Sequence, residues 1–244
     1  MHHLISPLQV AFILGRKGLD NMIIAQEILH TMEKKKGRTR TMAPKIDLEK
    51  AFDKLKWSFI REILVHFNFS KNIIDIIMAC ISSTSVSILF NGGKLEVTPI
   101  RGIRQGDPLL PYIFILCLEY LGLLILDKIA DNTWKPVKAS MFGPSFSYLF
   151  LTNDLILFGQ ATHKNAQAIE EALPAFCALS GQKVRKDKSR ILFSKNTSAE
   201  NRKLVDHSLG ILETNKFDKY LGFPLKVAGQ GTRDFNFIIH KVQQ

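Results

Sequence analysis

Apolar residues along this chain change their spacing several times, and each change marks an element. Leu19 to Lys36 predicts a helix that ends in a basic tail. Arg40 to Leu48 reads as a strand whose ladder is weakened at Pro44. Ile60, Ile63, Leu64 and Phe67 recur at helical spacing, and Ile73 to Ile81 is apolar nearly all round, which predicts a buried helix. Val86, Ile88 and Phe90 alternate, Asn91-Gly92-Gly93 follows, and Leu95 and Val97 alternate again, the pattern of a β-hairpin. Asp107-Pro108 fits the N-cap and first-turn proline of an apolar helix running to Leu126. Ser147 to Phe158 is apolar except at Asn153-Asp154, which predicts two short strands joined by a polar turn. Ala166, Ile169, Leu173 and Phe176 mark a further amphipathic helix, capped at Gly181, and short strands are expected at Ser189 to Ser194 and Phe217 to Leu221. Helices and strands alternate without a regular βα rhythm, so the expected class is α+β.

The 244 residues allow one large domain or two small ones. Hydrophobic residues at 46% and charged residues at 23% exclude wholesale disorder. The apolar run Leu109 to Leu126 has the length of a membrane span, but Glu119 near its centre would cost about 3 kcal/mol there. A buried helix is the reading, and no membrane partner is expected. Cys80, Cys117 and Cys177 lie far apart and are odd in number, which points to a reducing, intracellular setting. The seven histidines form no metal spacing. Lys and Arg number 33 against 22 Asp and Glu, a net charge of +11 that favours a polyanionic partner, nucleic acid first. Two clusters concentrate that charge. Lys34, Lys35, Lys36, Arg38 and Arg40 form one, and Lys183 to Arg190 holds the other; each is either a phosphate contact or a solvated loop.

Two acids stand out by context. Asp47 ends an apolar strand, and Asp154 sits at the tip of an apolar hairpin. They are either strand-end acids facing water or a pair that holds divalent cations for phosphoryl transfer. Arg101-Gly102-Ile103-Arg104-Gln105-Gly106-Asp107-Pro108 packs arginines, glycines and an amide before a helix. Such a turn suits an anion, or is merely a capped helix with a basic loop.

The order of these segments resembles the reverse transcriptase domain of non-LTR (LINE-type) retrotransposons, especially those of plants. Lys45-Ile46-Asp47 through Ala51-Phe52-Asp53 resembles its first catalytic motif, and Arg101 through Pro111-Tyr112 its second. Phe150-Leu151-Thr152-Asn153-Asp154-Leu155 stands where the family has Phe-Ala-Asp-Asp. Ser180-Gly181-Gln182-Lys183 with Lys188-Ser189 resembles the fourth motif, and Lys219-Tyr220-Leu221-Gly222 through Leu225 the primer grip. Gln9 to Phe12 with Gly15-Arg16 and Asp20-Asn21 resembles a fingers motif before the palm.

The resemblance implies a right-hand polymerase palm, an antiparallel sheet packed on helices, with partial fingers and little or no thumb. Residues 1–38 and 55–105 would be partial fingers, 39–54 and 106–225 the palm, and 226–244 the start of a thumb or connection. Asp47, the Leu48 carbonyl and Asp154 would bind Mg²⁺, with Mn²⁺ as an alternative. Arg16, Phe52, Gln105, Gly106 and Lys188 would contact the incoming nucleotide, Leu221 and Gly222 the primer end, and Arg104 with the Lys34 to Arg40 cluster the nucleic acid. RNA template, DNA primer and dNTPs would be the partners and the nucleus the place of action; oligomeric state stays open. Asn153 departs from the pattern at a metal-binding aspartate, so one negative charge is missing from the catalytic set. Thr152, Leu110 and Arg185 also depart from it. The expectation is a strongly impaired, truncated copy, with a non-catalytic nucleic-acid-binding remnant or pseudogene product as the alternative.

Overall fold

Alternate residues of one central strand face two different cores, and this organises the molecule. The computed structural model describes residues 4–83, 85–104, 106–140, 143–151 and 154–217. β1 (Thr41–Asp47) pairs antiparallel with β9 (Arg190–Phe193) on one side. On the other it pairs antiparallel with β7 (Asp154–Leu157) and β8 (Gly159–Gln160). β6 (Tyr148–Leu151) extends the sheet beyond β7, and β10 (Leu212–Glu213) extends it, parallel, beyond β9.

Met42 and Ile46 of β1, Leu155 and Leu157 of β7, and Ile191 and Phe193 of β9 pack into one core with α2 (Trp57–His66), α4 (Leu110–Ala130) and α5 (His163–Ser180). Ala43, Ile156 and Leu192 belong to the opposite core, under Ala25, Ile28, Leu29 and Met32 of α1 (Gly18–Lys34). The result is an α+β fold with a largely antiparallel sheet between two layers of helix. Glu119 of α4 is buried beside the N-terminal segment, and no helix among the described residues is long and apolar enough to cross a membrane.

Pro44 sits in the middle of this sheet and leaves a visible mark. The pairing on this side stops at Lys45–Ile156 and resumes at Met42–Gly159, so the gap falls where Pro44 lies opposite Leu157 and Ala43 opposite Phe158. A proline has no N–H to offer the ladder. Phe158 donates to the Ser147 carbonyl at 2.7 Å, continuing the register with β6, and accepts from Trp134 Nε1 at 2.9 Å.

Several expectations need correction. The segment Ile73 to Ile81 lies in α3 (Lys71–Ser82), whose buried residues are Ile74, Met78 and Ile81, while Ile76 is 63% exposed. It is an amphipathic surface helix, because it packs chiefly on α2 alone. The long apolar helix starts at Leu110, with Pro111 in its first turn, rather than at Pro108. Asp107 still caps, by accepting from the Leu109 N–H at 2.8 Å in the turn before the helix. The hairpin forms as expected, from β2 (Val86–Phe90) and β3 (Gly93–Val97), but every residue of both strands is exposed. Phe217 is not in a strand, and the rest of the Phe217 to Leu221 expectation lies outside the described residues. The pairs β4 (Val137–Lys138) with β5 (Ser145–Phe146), and β9 with β10, were not foreseen.

Candidate active site

The α1-side face of the sheet changes character toward one end of the strands. Ala43, Ile156 and Leu192 give way, at two-residue spacing, to Lys45 and Asp47 on β1, Asp154 on β7 and Arg190 on β9. Asn21, in the first turn of α1, donates from Nδ2 to the Phe150 carbonyl at 3.2 Å. The helix thus begins level with Phe150, and the sheet end beyond it stays open to solvent.

Asp47 and Asp154 are directly opposed Cα partners at that open end. Their side chains are 44% and 37% exposed. Each faces a cation. Lys45 Nζ lies 3.5 Å from Asp154 Oδ1, and Arg185 Nε lies 3.9 Å from Asp47 Oδ1. The loop 183–189 is stitched to the end of β1. The Arg185 N–H donates to the Asp47 carbonyl at 2.8 Å, the Glu49 N–H to the Lys183 carbonyl at 2.8 Å, and the Asp47 N–H to the buried Ser189 Oγ at 3.1 Å. The Leu48–Val184 bridge therefore uses the carbonyls of Asp47 and Lys183, not that of Leu48. Glu49 is held below its ordinary pKa by its hydrogen bond with Lys54, at 2.8 Å.

The turn after Asp47 is fixed from two sides. Gln182 Nε2 donates to the Ala51 carbonyl at 2.6 Å. The Ile103 N–H donates to the Phe52 carbonyl, the Gly102 N–H to the Leu55 carbonyl, and Trp57 Nε1 to the Gly102 carbonyl at 2.7 Å. Gly102, at φ +84°, approaches so closely that a Cβ would lie 2.6 Å from the Asp53 carbonyl oxygen. Its close approach is to the protein's own backbone, where the sequence suggested a ligand. Phe52 is half-buried and tilts against Phe114, 4.6 Å between ring centres. Gly106 has φ +95° and open space around it, and Arg101, Arg104 and Lys188 are exposed.

Other expected site residues are not gathered here. The Arg16 guanidinium donates to the carbonyls of Ile5, Ser6 and Gln9 and so fastens the N-terminal segment. Lys34, Lys35, Lys36, Arg38 and Arg40 precede β1, whereas Asp47 ends it. A seven-residue strand separates them by roughly 20 Å. That cluster is itself anchored, since Asn196 Nδ2 donates to the carbonyls of Gly37 and Thr39. Gln105, Thr152, Asn153, Leu221 and Gly222 lie outside the described residues. Lys45 was missed at first. The available signal was its place two residues before Asp47, which puts both on one face of a strand.

Paired hard carboxylate oxygens, partly exposed and on one face, fit a divalent cation. Among the described residues no cluster of three or more His, Cys, Asp or Glu joins them. Residues 1–225 match the family described as reverse transcriptase (RNA-dependent DNA polymerase). Over 144 residues, 59% of the chain, it is 26% identical to the retrovirus-related Pol polyprotein from type-2 retrotransposable element R2DM of Drosophila melanogaster. Over 111 residues, 45% of the chain, it is 30% identical to the Pol polyprotein from type-1 retrotransposable element R2 of Popillia japonica. It spans only 13% and 18% of those two proteins. Among solved structures, telomerase from Candida tropicalis with a fragment of telomeric RNA superposes with a TM-score of 0.59, at 13% identity, over 92% of this chain and 34% of that one.

Proposed function

The chain belongs to the reverse transcriptase (RNA-dependent DNA polymerase) family and is a domain of the LINE type, and on that premise we propose that Asp47 and Asp154 form its polymerisation centre. The observation that carries this is their register. Two acids 107 positions apart in sequence become direct cross-strand partners on the open face of the sheet. The proposed reaction joins a primer 3′-hydroxyl to the α-phosphate of a dNTP opposite an RNA template, releasing pyrophosphate.

Asp47 and Asp154 would hold Mg²⁺, or Mn²⁺, which when bound supplies positive charge to the reacting phosphates. The chain's own residues do the positioning. The Arg185 N–H, donating to the Asp47 carbonyl, and Ser189 Oγ, accepting from the Asp47 N–H, fix Asp47 at the strand end. Phe52, five residues on, is half-buried against Phe114 and would pack under the sugar. Gly106, with open space around it, would let template or nucleotide approach the backbone. Lys183, Arg185, Lys186 and Lys188 are carried on the loop bonded to that strand end and would neutralise phosphate charge. Residues 1–38 with 55–105 would serve as fingers and 39–54 with 106–225 as palm, although α2 shares its core with α4 and α5.

Asn153 carries no charge where the family has an aspartate, so this copy is expected to polymerise poorly. Primer extension on a homopolymer RNA template with Mg²⁺ and dNTPs tests the reading. Extension by Asn153→Asp, at least a hundredfold above the native chain and abolished by adding Asp47→Ala, is the expected result. Extension indifferent to Asp47→Ala would place the chemistry elsewhere. No extension by any variant would leave a non-catalytic remnant.

A further inference from the structure

The carboxylate pair is already neutralised by the chain itself. Lys45 shares the strand face of Asp47, lies diagonal to Asp154, and reaches its Oδ1 at 3.5 Å. Arg185 faces Asp47 Oδ1 at 3.9 Å and also Asp187 at 3.9 Å. Each of the two acids thus has a cation within 4 Å of a carboxylate oxygen, and residue 153 adds no charge. Hydrogen bonds of its own backbone, not these ion pairs, hold Asp47 in place: its carbonyl accepts from the Arg185 N–H and its N–H donates to Ser189 Oγ. Lys45 is about a quarter exposed and bonded across to the neighbouring strand, so its removal leaves the ladder intact.

We propose that Lys45 is a built-in counter-ion of this centre: it competes with a divalent cation for Asp154 and so weakens metal binding. The inference rests on the polymerisation centre proposed above. A like charge held close to a ligand oxygen repels an incoming dication, whereas a prop that merely orients the carboxylate would assist it. The two roles predict opposite signs on removal. Arg185, more distant and shared with Asp187, is expected to act in the same sense but less strongly.

Mn²⁺ titration of the full chain, with free ion read by electron paramagnetic resonance, tests this without any catalytic assay. Lys45→Met is expected to tighten the Asp47-dependent site about tenfold, and Lys45→Gln, which guards against a folding defect in the first variant, to do the same. Lys45→Arg should keep the native affinity, and Lys45→Met combined with Asp154→Asn should lose the gain. Asp47-dependent binding that is unchanged or weaker in both neutral variants would overturn the counter-ion role and leave the metal site standing. If no variant shows Asp47-dependent Mn²⁺ binding, the counter-ion role and the proposed centre fall together.

Discussion

Glu119 shows what a single charge costs inside this core. It lies buried in the middle of α4, where desolvation pushes its carboxyl up to about 7, against a smaller pull downward from the Ser6 N–H and the Arg16 guanidinium. The folded state therefore holds the proton more tightly than the unfolded chain does. Stability from this group is full below the unfolded value near 4.5 and is lost as pH rises through about 7. Glu119→Gln should match the native chain at pH 4.5 and exceed it by up to about 3 kcal/mol at pH 8, read by urea unfolding at both values. Gly102 is constrained for a different reason. Its positive φ and its contact with the Asp53 carbonyl leave no room for a side chain. Gly102→Ala should cost about 2 kcal/mol or more and lower the melting temperature.

At the scale of elements, identical hydrophobic patterns have unequal consequences. β2 and β3 alternate as regularly as any half-buried strand, yet Leu89 and Phe90 are 82% and 70% exposed. Leu155 of β7 is fully buried between the helical layer and the sheet. Leu155→Ala should destabilise by about 2–5 kcal/mol, because it opens a cavity in a close-packed core. Phe90→Thr should change stability by less than about 0.5 kcal/mol in the same denaturation assay, because water already reaches the ring. Equal losses at the two sites would mean that the hairpin is covered in solution.

Across the whole molecule, two basic clusters lie toward opposite ends of β1. Lys183, Lys186 and Lys188 belong to the loop bonded to the Asp47 end, and Lys34, Lys36 and Arg38 precede the other end, roughly 20 Å away along the strand. An A-form RNA–DNA hybrid stem of five base pairs, roughly 14 Å long, is shorter than the separation of the two clusters. Neutralising Lys34, Lys36 and Arg38 to Gln should leave the affinity for that stem unchanged, yet weaken binding and flatten the salt dependence for a twenty-pair hybrid. Neutralising Lys183, Lys186 and Lys188 should weaken both. Fluorescence anisotropy between 50 and 200 mM salt, about the range where such contacts dominate, distinguishes the two.

Much of this was legible in the chain. Local periodicity placed α1, β1, the β2–β3 hairpin and α5 to within a few residues, because side-chain spacing follows helix and strand geometry directly. The Asp47 and Asp154 positions were visible as charges ending apolar runs. Other features required distant segments to meet. The exposure of half of α3 depends on which neighbours it finds, and the register of β1 with β7 sets Lys45 beside Asp154. The loop that fastens Asp47 comes from more than 130 residues later. That Arg16 donates to three carbonyls of its own segment is likewise a matter of folding, not of sequence pattern. Composition and spacing determine which elements form and which residues carry charge. Only the tertiary structure decides which charges meet, because pairing depends on register and packing between strands that the sequence order does not specify.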